Sequence, residues 1–303
     1  GSENLKEVVP AHPHMTHPKL RPIEAFPTEQ DGRQLVIVRD PSGLSAGHIM
    51  VSPAALYLLS CMDGEHAPGD ICAAFTRATG LTMPEEELVR TIEQLDAARF
   101  LDSERFRDYF QSLVNEYRAA PARVSREQDG YGLGEGGLAA GFDRLLTRCE
   151  TGVTDRAERR LAGLVAPHLD YPRGAPGYAD AYGLLAAMPP ARRYVILGTN
   201  HFGRATGPVA TTKDFQTPLG TTRTDRGFIE RLEARLGADL CEHEFDHQQE
   251  HSVELQVLLL QHLLGPGAFE IVPVLCHDPC GPTGTASCDG KGADLHAFAE
   301  ALG

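Results

Sequence analysis

Two histidines, each closing a short apolar run, are the residues of this chain best suited to chemistry. Leu164-Val165-Ala166-Pro167 leads into His168, and Tyr194-Val195-Ile196-Leu197-Gly198-Thr199-Asn200 leads into His201. Short apolar runs bounded by Pro or Gly read as buried strands of an α/β sheet. Residues just past such strand ends face the crevice where ligands bind. Two imidazoles delivered to neighbouring strand ends can share one metal ion, because the neutral ring is the commonest protein metal ligand.

A second constellation, His243-Glu244-Phe245-Asp246-His247, spells H-E-x-x-H, with His251 four residues on. On a helix, His243 and His247 would share a face and chelate zinc, with Glu244 as the general base of a metallopeptidase. A zincin helix interleaves apolar residues, whereas here Glu242, Asp246, Gln248, Gln249 and Glu250 leave Phe245 alone among polar neighbours. The segment therefore reads as a solvated loop or frayed turn, and the zinc metallopeptidase is the minor alternative. Cys276-His277-Asp278-Pro279-Cys280, with Cys288 beyond, is spaced C-x3-C in a Gly/Pro/Thr run. It reads as isolated surface thiols in a loop, not as a zinc or redox cluster.

These residues need elements to position them. Strands and helices alternate after residue 138. A helix is expected over Tyr178–Met188, a strand over 194–197, another over Pro208–Thr212, and a helix from Asp225 to Leu236. Glu250-His251-Ser252-Val253-Glu254 opens a strongly apolar helix to Leu264, with Ser252 as its cap, and Phe269–Leu275 is a buried strand. That alternation defines an α/β domain. Residues 120–137, with five glycines over 130–137, read as a linker, and a helix around Leu138–Arg148 begins the α/β domain. The spacing of those glycines does not match a dinucleotide fingerprint.

Residues 21–119 form a different module. Asp31-Gly32 is a turn ahead of a strand over 34–40. Helices follow from Ser52-Pro53 to Leu59, from Gly69 to about Ala78 before Gly80, and after Thr82-Met83-Pro84-Glu85, a capping-box spacing. Phe100-Leu101-Asp102 closes as a short strand. This order is that of a small winged-helix-like α+β domain. It resembles the peptide-binding domains of the PqqD type, through Leu58-Leu59-Ser60-Cys61-Met62-Asp63-Gly64 and Leu95-Asp96-Ala97-Ala98-Arg99-Phe100-Leu101. A possible radical-SAM enzyme or a peptide substrate is the partner this implies. The module carries 16 acidic residues against 9 basic ones, the wrong sign for reading DNA.

Composition sets the outer limits. The 303 residues carry a net charge of −14, which argues against nucleic acid as a partner. No apolar run reaches membrane-spanning length and nothing reads as a signal peptide. Seven cysteines, odd in number and mostly scattered, fit a reducing cytoplasm rather than a disulfide framework. Residues 1–20, with Pro10, Pro13 and Pro18, read as a mobile leader.

Five motifs carry a family resemblance. They are Ala166-Pro167-His168-x-x-Tyr171, Leu197-Gly198-x-x-His201, Thr217-Pro218-Leu219-Gly220 with Asp225, Glu250-His251-Ser252-x-Glu254, and Val272-Pro273-Val274-Leu275. In this order they resemble the Memo family, and the whole chain resembles its AmmeMemoRadiSam system protein B branch. The resemblance implies the fold of class III extradiol dioxygenases, which hold non-haem Fe(II) in a cleft. It makes His168 and His201 metal ligands, the metal a divalent ion with iron first and copper or zinc as alternatives, and it lines the cleft with Glu250-His251-Ser252.

His251 is then the candidate acid–base group and Glu250 its orienter or a ligand. The family pattern continues past Gly303 to a Ser-x-Asp-x-x-His strand end, from which a third His and a Cys come. Its early His-Ala-Gly is replaced here by Gln128-Asp129-Gly130. The chain is thus expected to carry the first, partial half of a Memo domain. Two imidazoles hold a metal weakly, so a third group is needed, and Glu250, His251, Asp170 and Cys276 are the candidates. Metal-assisted O₂ activation is the enzyme reading. A non-catalytic peptide- or protein-binding module is the alternative.

Overall fold

The computed structural model describes residues 16–126, 131–148, 161–201, 203, 207–287 and 290–303. Gln128-Asp129-Gly130, Cys149, Cys288 and the first part of the expected leader lie outside the described residues. The chain divides into two compact units, residues 1–115 and 116–303.

The first unit opens on a hairpin of β1 (Glu24–Gln30) and β2 (Arg33–Arg39). Asp31 and Gly32 both take positive φ, 52° and 71°, the two-residue turn whose twist matches that of the flanking strands. β3 (His48–Val51) pairs antiparallel with the other side of β2, which turns Val36 and Val38 into the core. α1 (Pro53–Ser60) starts at its expected cap, Ser52 Oγ accepting from Ala55 N–H at 3.1 Å. α2 (Pro68–Thr79) stops at Gly80, whose left-handed φ of 72° a side chain would strain.

α3 (Glu85–Ala97) buries Leu88, Ile92 and Leu95 against this sheet. The expected capping box does not form: Pro84 is the cap, and Glu85, Glu86 and Glu87 complement the dipole of the first turn instead. Phe100–Asp102 is not a strand either. Leu101 makes a single bridge to Leu20, and Lys19 one to Asp63, so the end of the expected leader is tied down. α4 (Glu104–Ala119), whose last residues belong to the second unit, has no counterpart in the sequence reading. Phe106, Phe110 and Tyr117 recur in it at helical spacing.

The second unit begins with β4 (Ala122–Val124), inside the stretch expected as a linker. α5 (Gly137–Leu146), α6 (Tyr171–Ala186), β5 (Arg193–Thr199), β6 (Val209–Ala210), β7 (Asp214–Thr217) and β8 (Gly220–Thr224) follow. α7 (Arg226–Leu236), the single-turn α8 (Asp246–Gln249), α9 (Ser252–Leu264), β9 (Glu270–Cys276) and α10 (Leu295–Leu302) complete it. The sheet runs β4-β7-β8-β9-β5, with β6 also on β9. β9 lies parallel to β5 over Glu270–Cys276 and parallel to β8 at its start. Its residues Ile271, Val272, Val274 and Leu275 are fully buried, as a strand covered on both faces requires. This mixed sheet with α9 packed against it through Val257, Leu258, Leu259 and Leu260 is an α/β fold.

One expected strand is absent. Leu164–His168 joins no ladder, and Val165 is 95% exposed. Pro167 has no N–H to give a neighbour, and the segment serves instead as the lead into α6, which Asp170 caps by accepting from Arg173 N–H. Among the described residues no helix is long and apolar enough to cross a membrane.

Candidate metal centre

The second unit brings three histidines from three separate segments together. The ring centroids of His168 and His201 are 5.1 Å apart, those of His201 and His251 5.1 Å, and those of His168 and His251 6.0 Å. The His201 and His251 rings stack, with 14° between their planes.

Each histidine is placed by its own element. His201 follows β5, whose end is fastened to the start of α9: Ser252 Oγ accepts from Thr199 N–H at 3.0 Å and donates to the Thr199 carbonyl at 3.1 Å. Ser252 is therefore the first residue of α9 and a clamp, not its expected cap; His251 holds the cap position. That contact requires Gly198, since a Cβ there would run into Ser252 Oγ and Val253. His168 follows Pro167, whose carbonyl accepts from Gln256 Nε2 at 2.9 Å and whose ring packs on Gly177 of α6. On the other side of His168, Tyr178 OH donates to the carbonyl of Leu169 at 2.8 Å.

Glu250 is the hub beneath the cluster. It is 2% exposed, and its carboxylate accepts from the backbone N–H groups of His201 (2.9 Å), His251 (2.8 Å) and Ser252 (3.0 Å). His201 Nδ1 lies 3.1 Å from both of its oxygens and His251 Nδ1 3.3 Å from one. Burial works to raise the Glu250 carboxyl. The hydrogen bonds from His201 and Ser252 outweigh it and hold the group below its ordinary value, ionised at neutral pH. A ring that donates from Nδ1 to a carboxylate carries its free lone pair on Nε2, the arrangement that suits a metal ligand. Burial lowers His251, which keeps its ring neutral. Ligand atoms of His201, Glu250 and His251 lie within 4.8 Å of one another.

A buried cation locks this hub in place. Arg123 of β4 is 1% exposed and donates to the carbonyls of His247 (3.0 Å) and Glu250 (2.8 Å). It also pairs with Glu254, which in turn accepts from Tyr131 OH at 2.7 Å and from Arg126 N–H at 3.1 Å. Arg123 and Tyr131 come from the stretch read as a linker. Nothing in Ala122-Arg123-Val124 marks the arginine as internal, because its burial is defined by partners more than a hundred residues away.

The other sequence candidates stand apart. Asp170 caps α6 and pairs with Arg173, and Cys276 ends β9, its thiol pushed up to about 11 by burial. His168 approaches the cluster by its ring alone, and His243, Glu244 and His247 belong to no group of close ligand atoms among the described residues. Their segment is a turn, as expected, but not a solvated one: Glu244, Phe245 and His247 are all buried. His247 Nε2 is 2.9 Å from the Val209 carbonyl, and Glu244 accepts from Thr211 OH at 2.9 Å. His277 meets the Gly284 carbonyl, and Cys280 is an exposed free thiol.

Fold and cluster together define an α/β protein with three histidines gathered at the end of a sheet strand. Residues 139–280 match the family model described as Memo-like protein. A MEMO1 family protein of Aquifex aeolicus is 31% identical over 228 residues, 75% of this chain and 59% of the relative. Those of Methanosarcina acetivorans and Methanococcoides burtonii are 35% and 36% identical over 44% and 43% of this chain, and 47% and 46% of their own lengths. Residues 139–280 are a Memo family region, and the chain covers 46–59% of the length of these curated relatives.

Proposed function

We propose that this chain holds a divalent metal, iron first and copper or zinc next, through His168 and His201, with His251 at the third corner. The observation that carries the reading is the cluster itself: three rings within 6.0 Å of one another, two of them turned onto one buried carboxylate. Glu250 is the orienter and not a ligand, because backbone and ring donors already occupy both of its oxygens. An all-imidazole donor set suits borderline metals such as iron, copper and zinc. A bound ferrous ion would supply open coordination positions for a substrate and O₂, by analogy with the extradiol fold. What this chain's residues do is keep the His251 ring neutral by burial and orient the His201 and His251 rings on the buried Glu250 carboxylate.

The test is metal content after anaerobic purification. Near-stoichiometric iron in the wild type, lost in His168→Ala/His201→Ala, supports the reading. Zinc that survives this double variant and is lost in His247→Ala overturns it in favour of the peptidase motif. His251→Ala separates its two roles: lost metal marks a ligand, retained metal with lost O₂ uptake an acid–base group.

The first unit is read as a docking module for a peptide or a radical-SAM partner. Its support is a three-stranded antiparallel sheet whose outer strands, β1 and β3, each have one edge that no strand pairs among the described residues and that can take an extended peptide. Free thiols at Cys61, Cys72, Cys241, Cys276 and Cys280 support work in a reducing cytoplasm.

A further inference from the structure

Beside the histidine cluster lies a cavity of about 420 Å³, within the size range of small-molecule sites. Its walls are the buried Tyr131, Tyr171 and Leu255, and His251 is the one ring of the cluster that lines it. Its charged lining residues are Arg126, Arg173, Asp170 and Glu254. The Glu254 carboxylate is paired with buried Arg123, and Asp170 is paired with Arg173. Arg126 remains. Its guanidinium donates to a neutral group, the Gln249 carbonyl, at 2.6 Å, and no carboxylate among the described residues forms an ion pair with it.

A cavity walled by two tyrosines and a leucine, with a cation that has no ion-pair partner among the described residues, selects an anion that carries an apolar body. A carboxylate meets a guanidinium through two parallel hydrogen bonds, which a single neutral carbonyl does not satisfy. We propose that this cavity binds a small monocarboxylate with a flat apolar body, its carboxylate on Arg126 and its other end against His251. Its role as the substrate site rests on the metal reading above. The binding itself does not, since Arg126 and the tyrosines belong to the protein.

Benzoate is the probe, titrated calorimetrically into the metal-free protein alongside its neutral isostere benzamide. Saturable benzoate binding is expected, weakened about tenfold or more by Arg126→Gln and by replacing benzoate with benzamide. Arg126→Lys, which keeps the charge, should recover part of the loss. Equal binding of benzoate and benzamide, or equal binding by wild type and Arg126→Gln, overturns the proposal. The same titration on cobalt-loaded protein, read by the visible cobalt spectrum, tests the link to the metal. A benzoate-dependent spectral change absent in Arg126→Gln supports a shared site. Arg126-dependent binding in metal-free protein that leaves the cobalt spectrum unmoved keeps the subsite but removes its role as the substrate site.

Discussion

His247 and His251 stand four residues apart, yet the fold puts them to opposite uses. His247 is 1% exposed, its ring against Phe215 and its Nε2 at the Val209 carbonyl. His251 keeps about a third of its side chain in solvent and faces His201 and His168. Had the helix run on through both, they would have shared a face. It does not, because Glu250 between them is extended (ψ 138°) and α9 starts afresh at Ser252. The H-E-x-x-H spelling lies on the structural side of that break. The cluster on the other side draws its rings from positions 168, 201 and 251, which no local pattern joins. Spacing along one segment is evidence for a site only if one element spans it.

The sharpest way to break the comparison is Glu250→Ala. It leaves the N–H groups of His201, His251 and Ser252 without their acceptor in a buried place and should cost about 3 kcal/mol in a denaturant titration. Metal should be lost with it. If stability and metal content both hold, Glu250 is not the hub.

On the structural side, burial pushes His247 down to about 4, against an ordinary 6.5. The unfolded chain therefore takes up a proton on this ring at a higher pH than the folded one. The stability this neutral ring carries is complete above about pH 6.5 and lost as pH falls through about 4. The loss is up to about 3 kcal/mol. Denaturation midpoints followed over that window should fall in the wild type and lose this component in His247→Gln, with metal content unaffected.

Substituting the cluster should do the reverse. His168→Ala and His251→Ala should each lower metal affinity by about tenfold or more. Both rings are half-buried and neither is part of the buried core, so stability should change by about 1 kcal/mol or less. Equal metal affinity in wild type and both variants would remove the distinction. The smallest effect belongs to Glu244→Gln, which keeps the shape and weakens one hydrogen bond to Thr211, worth about 1 kcal/mol or less. A loss of metal or of peptide hydrolysis here would restore the peptidase motif.

Local chemistry made some elements legible. Ser52-Pro53, Gly80 and Asp225 mark helix ends where the structure has them, because caps are satisfied by residues a few positions away. The α4 helix is marked by periodicity instead of caps, through Phe106, Phe110 and Tyr117. The run before His168 misled for a clear reason: an apolar segment becomes a strand only when a neighbour offers it a ladder, and Leu164–His168 has none among the described residues.

By itself, then, the sequence determined which residue types could meet a metal and the alternation of elements that places an α/β sheet behind them. It also determined the motif order by which the Memo resemblance is recognised. Only the tertiary structure decided which histidines meet, and that Glu250 and Arg123 lock them. A ring becomes a ligand candidate through the orientation of its free lone pair. That orientation is set by hydrogen bonds to Glu250, 49 positions from His201; the Glu250 carbonyl in turn accepts from Arg123, 127 positions away. Such contacts carry no local signature, because they exist only once β4, β5 and the start of α9 have packed together.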